Sequence, residues 1–208
     1  MGVISRIFAN TRRPEGWIGR LMVAGMNGGS QANLAVWGLF HAPFQGDETV
    51  LDCGCGGGAN ISRMLKLCGN GQVHGVDYSP VSVETSRKVN AKAIKAGRCT
   101  VTEGDAADLP FGDAVFDRVT AFETVYFWPE LEAAFREVHR VLKTGCIFLI
   151  VNESDGKHKK STRWTNIIEG MHVYTGEDLR VVLLRAGFAE VEMDDDEQHD
   201  RLCVKAVK

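Results

Sequence analysis

Residues 49 to 61 read TVLDCGCGGGANI: a short β-branched apolar run, an aspartate at position 52, then glycines at 54, 56, 57 and 58. Every glycine has more backbone entropy to lose on folding than any other residue, so four within five positions mark a turn whose backbone is left bare for tight geometry or close approach. Beyond the turn Ile61, Met64, Leu65 and Cys68 recur at helical spacing. Strand, glycine turn and helix in that order are the opening unit of a parallel α/β sheet.

The same alternation continues outward. QVHGVD (72 to 77) reads as a second strand; Ser79 and Pro80 then supply an N-cap and a first helical residue, and the helix is expected to run to Gly97. Its charges Glu84, Arg87, Lys88, Lys92, Lys95 and Arg98 read as a solvated face. CTVTEGD (99 to 105) and AVFDRVTAFE (114 to 123) are the third and fourth strands. Leu131, Ala134, Phe135, Val138, Val141 and Leu142 form an amphipathic helix started by Pro129. GCIFLIVNE (145 to 153) is continuously apolar, as a strand covered on both faces must be. Thr175 and Asp178 form a capping box for a helix that ends at Gly187. Strands near 188 to 193 and 201 to 207 close the chain, joined by the acidic turn DDDEQH (194 to 199), a link too short for a crossover, so this pair is antiparallel. The expected architecture is a doubly wound α/β fold with a mostly parallel, seven-stranded sheet, helices on both faces and an antiparallel C-terminal strand.

Residues 1 to 47 stand outside this alternation. Trp17, Ile18, Leu21, Met22 and Met26, then Leu34, Trp37, Leu39 and Phe40, suggest two short amphipathic helices separated by MNGGS (26 to 30). They are read as an N-terminal helical lid segment (1 to 47) closing on a domain at 48 to 208, with a dimer interface as the rival reading.

At 208 residues and 25% charged, the chain suits one soluble domain. Its net charge of -3 gives no basic footprint for nucleic acid. Six scattered cysteines without CxxC spacing read as reduced thiols, with no metal site expected. The longest apolar stretch, CIFLIV (146 to 151), is too short to cross a bilayer, and no secretory signal or myristoylation motif is present, so the expected location is cytoplasmic. Monomer and homodimer both remain open.

In open parallel sheets the ligand lies beyond the carboxyl ends of the strands, where the glycine turn sits. GCGGGA (54 to 59) formally fits the dinucleotide pattern G-x-G-x-x-A, and Asp77, 19 residues past Gly58, stands where a carboxylate accepts ribose hydroxyls. Both support an adenosine ligand. Asp52 discriminates between kinds: beside the turn it repels a pyrophosphate and favours a cation.

VLDCGCGGG, GVDYSP, EGDAADLPFGDAVFDRV and REVHRVLKTGCIFLI, in this order, resemble the class I S-adenosylmethionine-dependent methyltransferases, a Rossmann-like family, and in particular its small-molecule branch that includes ubiquinone and menaquinone biosynthesis methylases. The resemblance covers residues 48 to 152 strongly and 175 to 207 loosely. It implies S-adenosyl-L-methionine as cofactor, with S-adenosyl-L-homocysteine as product. By the same resemblance Asp52 faces the methionine end, Gly54, Cys55 and Gly56 admit the cofactor to the backbone, and Asp77 holds the ribose with Tyr78 beside the adenine. Asp105 and the Ala106 amide read the adenine edge, and Glu123 lines the sulfonium side. Thr144, Gly145 and Cys146 depart from the family's usual Pro-Gly-Gly, at a turn remote from the cofactor.

Methyl transfer from a sulfonium is an in-line displacement that needs alignment and a site with little water, and a base only if the acceptor must lose a proton. FETVYFWPE (122 to 130) lacks the Asn- or Asp-Pro-Pro-Tyr of nitrogen-methylating relatives, so the acceptor is expected to be a small molecule, with Tyr126 and Trp128 walling its pocket beside Phe127. No catalytic residue stands out; His41 and Tyr126 are the candidates, ahead of His139 and His172. DGKHKKSTRW (155 to 164) reads as a solvated loop able to meet an anionic acceptor. Two alternatives stay open: an NAD(P)- or flavin-dependent oxidoreductase, and a non-catalytic S-adenosylmethionine-binding protein.

Overall fold

The computed structural model describes residues 30–158, 165, 168 and 170–208; the expected first helix, with Trp17 to Met26, lies outside them. The described chain runs α1 (Ser30–Phe40), β1 (Thr49–Cys53), α2 (Ala59–Leu67), β2 (Gln72–Asp77), α3 (Pro80–Val89), α4 (Ala91–Lys95), β3 (Cys99–Glu103), β4 (Phe116–Phe122), a 3₁₀ turn (Val125–Phe127), α5 (Leu131–Val141), β5 (Leu142–Asn152), α6 (Gly176–Arg185), β6 (Glu190–Asp196) and β7 (Arg201–Val207).

The strands form one sheet in the order β3-β2-β1-β4-β5-β7-β6. β1 to β5 are parallel, and β7 runs antiparallel to both β5 and β6. The chain winds outward from β1 to β3 and returns to β4 on the other side, so the switch point lies between β1 and β4, with a crevice beyond their carboxyl ends. Because β1 lies inside the sheet, its Val50 and Leu51 are both fully buried, one towards each face.

On one face Leu34 and Leu39 of α1, Ile61 and Met64 of α2 and Val83 of α3 pack with Val50, Val73, Leu149 and Val151. On the other, Phe135 and Val138 of α5 and Leu179 and Leu183 of α6 pack with Leu51, Val119, Phe148 and Ile150. α1 is thus part of a sheet face. The segment after it is anchored at the opposite end from the crevice: Arg118 donates to both Glu48 oxygens (3.1 and 2.9 Å) and to the Ala42 and Pro43 carbonyls (2.9 Å each).

Several boundaries differ from the sequence reading. The helix expected from Pro80 to Gly97 breaks at Asn90, whose side chain leaves the helix pattern to hold the Gly58 and Ser86 carbonyls (3.0 Å each) and accept from the Ser62 hydroxyl (2.7 Å). Arg87, though exposed, donates to the Val101 carbonyl, and the half-buried Arg98 to those of Gly71 and Leu65. β5 begins at Leu142, three residues early, and β6 extends through Asp196, so only the end of the acidic run forms the turn. Asp194 to Asp196 pair with Cys203 to Arg201 instead of looping. Among the described residues no helix is long and apolar enough to cross a membrane.

Candidate cofactor-binding site

Three strand ends lie level: Cys53 pairs with Val76, and Asp77 with Glu103. The glycine turn leaves β1 and is tied at once to β2, the Gly54 and Cys55 amides donating to the Val76 carbonyl at 2.8 and 3.0 Å. Gly54 has φ +79, and a Cβ on it would sit 2.1 Å from the Thr124 hydroxyl oxygen, so here the turn is bare because β4's exit packs against it. Gly56, at φ +49, differs: a Cβ would meet nothing within 4 Å, because the backbone faces open space.

Asp77 braces this turn. Its Oδ2 accepts from the Gly56 amide and its Oδ1 from the Ser79 amide, both at 2.9 Å. Burial raises its proton affinity above the ordinary carboxylate range, and those two bonds oppose the rise. The Ser82 side chain also bonds this carboxyl, which keeps acceptor capacity for a further donor. Around it opens a cleft lined by Cys53, Gly54, Val76, Asp77, Tyr78, Gly104, Asp105, Ala106, Thr124, Phe127, Trp128 and Pro129. Asp105 accepts from the Ala107 amide at 2.9 Å through one oxygen, which fixes the loop after β3 at the rim.

Of the residues expected to bind a cofactor, Gly54, Asp77, Tyr78, Asp105 and Ala106 converge on this cleft, and Trp128 of the expected acceptor wall stands there too. Others do not line it. Asp52 is 1% exposed, beneath the floor, accepting from the Thr120 hydroxyl at 2.9 Å. Burial pushes its carboxyl up to about 7, with the neighbouring charge of Asp77 adding to the rise. Cys55 turns inward, its Sγ 3.9 Å from the Ser86 hydroxyl. Glu123 faces the β5 side, where its Oε1 accepts from the Glu153 amide and from the Tyr126 hydroxyl. Tyr126 is 3% exposed and also accepts from the Ser154 amide, so it braces the end of β4 and is no open wall. His41 is turned to β6: Nε2 lies 2.6 Å from Asp194 and Nδ1 2.9 Å from the Trp37 carbonyl. His139 packs edge-on against Phe188, and His172 beside Tyr174.

Sequence reasoning missed Cys53, Val76, Gly104, Thr124 and Pro129. Val76 and Gly104 are strand-end positions, findable once the register is known; Thr124 carried no signal. Lys157, in the loop read as solvated and able to meet an anionic acceptor, is exposed and paired with Asp195 and Glu197. Asp155, His158 and Asp200 form the one His/Asp group with metal-ligand spacing among the described residues, and His158 bonds both Asp155 oxygens there.

A cleft at the switch point of this strand order, with a bare turn beside a strand-end carboxylate, lies where open α/β sheets commonly bind their ligands. Residues 51–150 match the family described as methyltransferase domain. An O-methyltransferase from Penicillium expansum is 32% identical over 162 residues, covering 76% of this chain and 58% of its own. Sterol methyltransferase-like 2 of Botryococcus braunii is 35% identical over 111 residues, covering 53% and 28%. A putative methyltransferase solved with the Haloferax volcanii Trm112 methyltransferase activator superposes with a TM-score of 0.80 at 22% identity, covering 90% of this chain and 93% of that one. The chain belongs to the class I S-adenosylmethionine-dependent methyltransferases. It spans little more than half the length of the Penicillium relative, and less of the algal one.

The residues present fit that family's cofactor. The open backbone at Gly56 is a cradle, and among the described residues the cleft lining carries two aspartates and no lysine, arginine or histidine. From these residues a diphosphate gains no cation, whereas an ammonium and a sulfonium meet negative charge.

Proposed function

We propose that this protein transfers the methyl group of S-adenosylmethionine to a hydroxyl of an apolar or aromatic small molecule. The observation that carries the cofactor half is the cleft at the switch point, which the described residues line with two aspartates and no cationic side chain. The acceptor half is supported by the flat apolar wall of Phe127, Trp128 and Pro129 and by the O-methyltransferase relative.

S-adenosylmethionine supplies an electrophilic methyl group on a sulfonium. In this reading Asp77 accepts from the ribose hydroxyls, Asp105 and the Ala106 amide read the adenine edge, and Tyr78 covers its face. Asp52 acts through the field it sets beneath the turn, since it is sealed from contact. Phe127 and Trp128 exclude water and orient the acceptor, which lets positioning supply much of the rate. Five buried, unpaired cysteines and a sixth half-buried one suit a reducing cytoplasm, and the negative net charge suits a partner other than nucleic acid.

Incubation with methyl-tritiated S-adenosylmethionine and a set of hydroxylated aromatic compounds tests this. Label is expected in an ether product. Bound cofactor with no label in any acceptor would favour the non-catalytic binder.

A further inference from the structure

Glu123 is a half-buried carboxyl at the end of β4 that the cofactor-binding reading leaves unused. It follows β4 with φ +58, a left-handed backbone that a non-glycine side chain adopts only when its surroundings enforce it, and such outliers gather at functional sites. The Glu123 amide is held by the Val151 carbonyl at 3.0 Å, which locks the turn and directs the carboxyl towards the end of β5. There Oε1 takes both available donors, the Tyr126 hydroxyl at 3.2 Å and the Glu153 amide, while Oε2 has no partner among the described residues. The residue keeps some accessible surface and is not sealed in the core. The cofactor cleft lies on the β1 to β3 side of Thr124, and Glu123 lies on the β4 to β5 side.

We propose that Glu123 is the base that receives the proton of a hydroxyl acceptor docked on the β4 to β5 side of the cleft. This rests on the methyl-transfer reading. The acceptor O–H bond breaks with its proton passing to Oε2 of Glu123. The oxygen forms the bond to the methyl carbon, the methyl–sulfur bond breaks with its electron pair returning to sulfur, and S-adenosylhomocysteine leaves neutral at sulfur. Tyr126 and the Glu153 amide position the carboxyl. Burial, with the Glu153 carboxylate adding to it, pushes Glu123 up to about 8, against the two donors. A carboxylate of that strength is far better matched to a phenol than an ordinary glutamate is. The facing groups are Tyr126 from the 3₁₀ turn and Glu153 and the Ser154 amide from the end of β5, with Gln31 of α1 bonded to Glu153 at 3.4 Å.

The test uses the intact chain and Glu123→Gln, which keeps an acceptor oxygen for Tyr126. S-adenosylhomocysteine affinity is measured by calorimetry, and methyl transfer is measured to substituted phenols and catechols graded from ordinary to strongly acidic, such as catechol and 4-nitrocatechol. We expect unchanged cofactor affinity and a loss of ~100-fold or more on weakly acidic acceptors, shrinking towards none on acceptors already ionised. The wild-type rate on catechol should rise with pH and level off above the region of 8, whereas the variant's rate should keep rising with the acceptor's own ionisation. An equal loss on all acceptors, or no loss, overturns the base role. A wild type that binds S-adenosylhomocysteine but labels no phenol overturns the hydroxyl-acceptor assignment and the base with it. Failure to bind S-adenosylhomocysteine strikes the methyl-transfer reading itself.

Discussion

Asp52 and Asp77 are 25 positions apart in sequence and adjacent in the fold, yet they do different work. Asp77 touches the turn through two backbone amides and faces the cleft; Asp52 is sealed under it with one hydroxyl for company. The sealing has a measurable consequence. A carboxyl whose folded-state value stands near 7 against an ordinary 3.8 holds its proton more tightly folded than unfolded. Its contribution to stability is therefore complete below pH 4 and is lost as pH rises to 7, with a ceiling of about 4 kcal/mol from ~1.4 kcal/mol per pH unit. Urea unfolding of wild type and Asp52→Asn across pH 4 to 8 should show the wild type losing stability relative to the variant as pH rises. Parallel curves would mean that Asp52 ionises as readily folded as unfolded.

At the scale of elements, the glycine turn is where sequence and structure inform each other most. Its place between an apolar strand and a helix was readable at once, because strand and helix periods change there. What the glycines are for was only half readable. Gly56 faces open space, as the close-approach reading requires, but Gly54 is bare because Thr124, 70 residues later, packs on it. Such long-range contacts leave no local trace. Gly54→Ala puts a Cβ against Thr124 at a φ that alanine resists, so a loss of about 2 kcal/mol or more is expected in urea unfolding. Adding Thr124→Gly should recover the steric share and leave the backbone share. Full stability in Gly54→Ala would show that the turn can relax. Element ends went the same way: Asn90 breaks the expected long helix to hold the glycine loop, and β6 keeps three aspartates because β7 pairs with them.

Across the whole molecule, the mostly parallel sheet and the antiparallel C-terminal pair were legible from alternation and loop length, since crossovers and hairpins need different lengths of chain, whereas the strand order left no local trace. Which residues gather at the cleft was partly legible, because Asp77, Tyr78, Asp105 and Ala106 hang on strand ends. The surroundings of the acceptor candidates were not: Tyr126, read as a wall of the acceptor pocket, is a buried brace, while His41, a candidate base, is bonded to β6. Nothing local to either residue discloses which side of a sheet its loop will choose. Arg118, with no mark in the sequence, ties the segment after α1 to the sheet through Glu48 and two carbonyls and has Phe44 over its guanidinium at 4.2 Å.

The central claim is that this cleft takes a cationic adenosine compound, with Asp77 at its heart. Calorimetric titration of the chain with S-adenosylmethionine, S-adenosylhomocysteine and NAD, repeated on Asp77→Ala, tests it most directly. We predict binding of the first two in preference to NAD and a weakening of at least ~10-fold, about 1.4 kcal/mol, in the variant. Tighter binding of NAD, or an unchanged affinity in Asp77→Ala, would contradict the account.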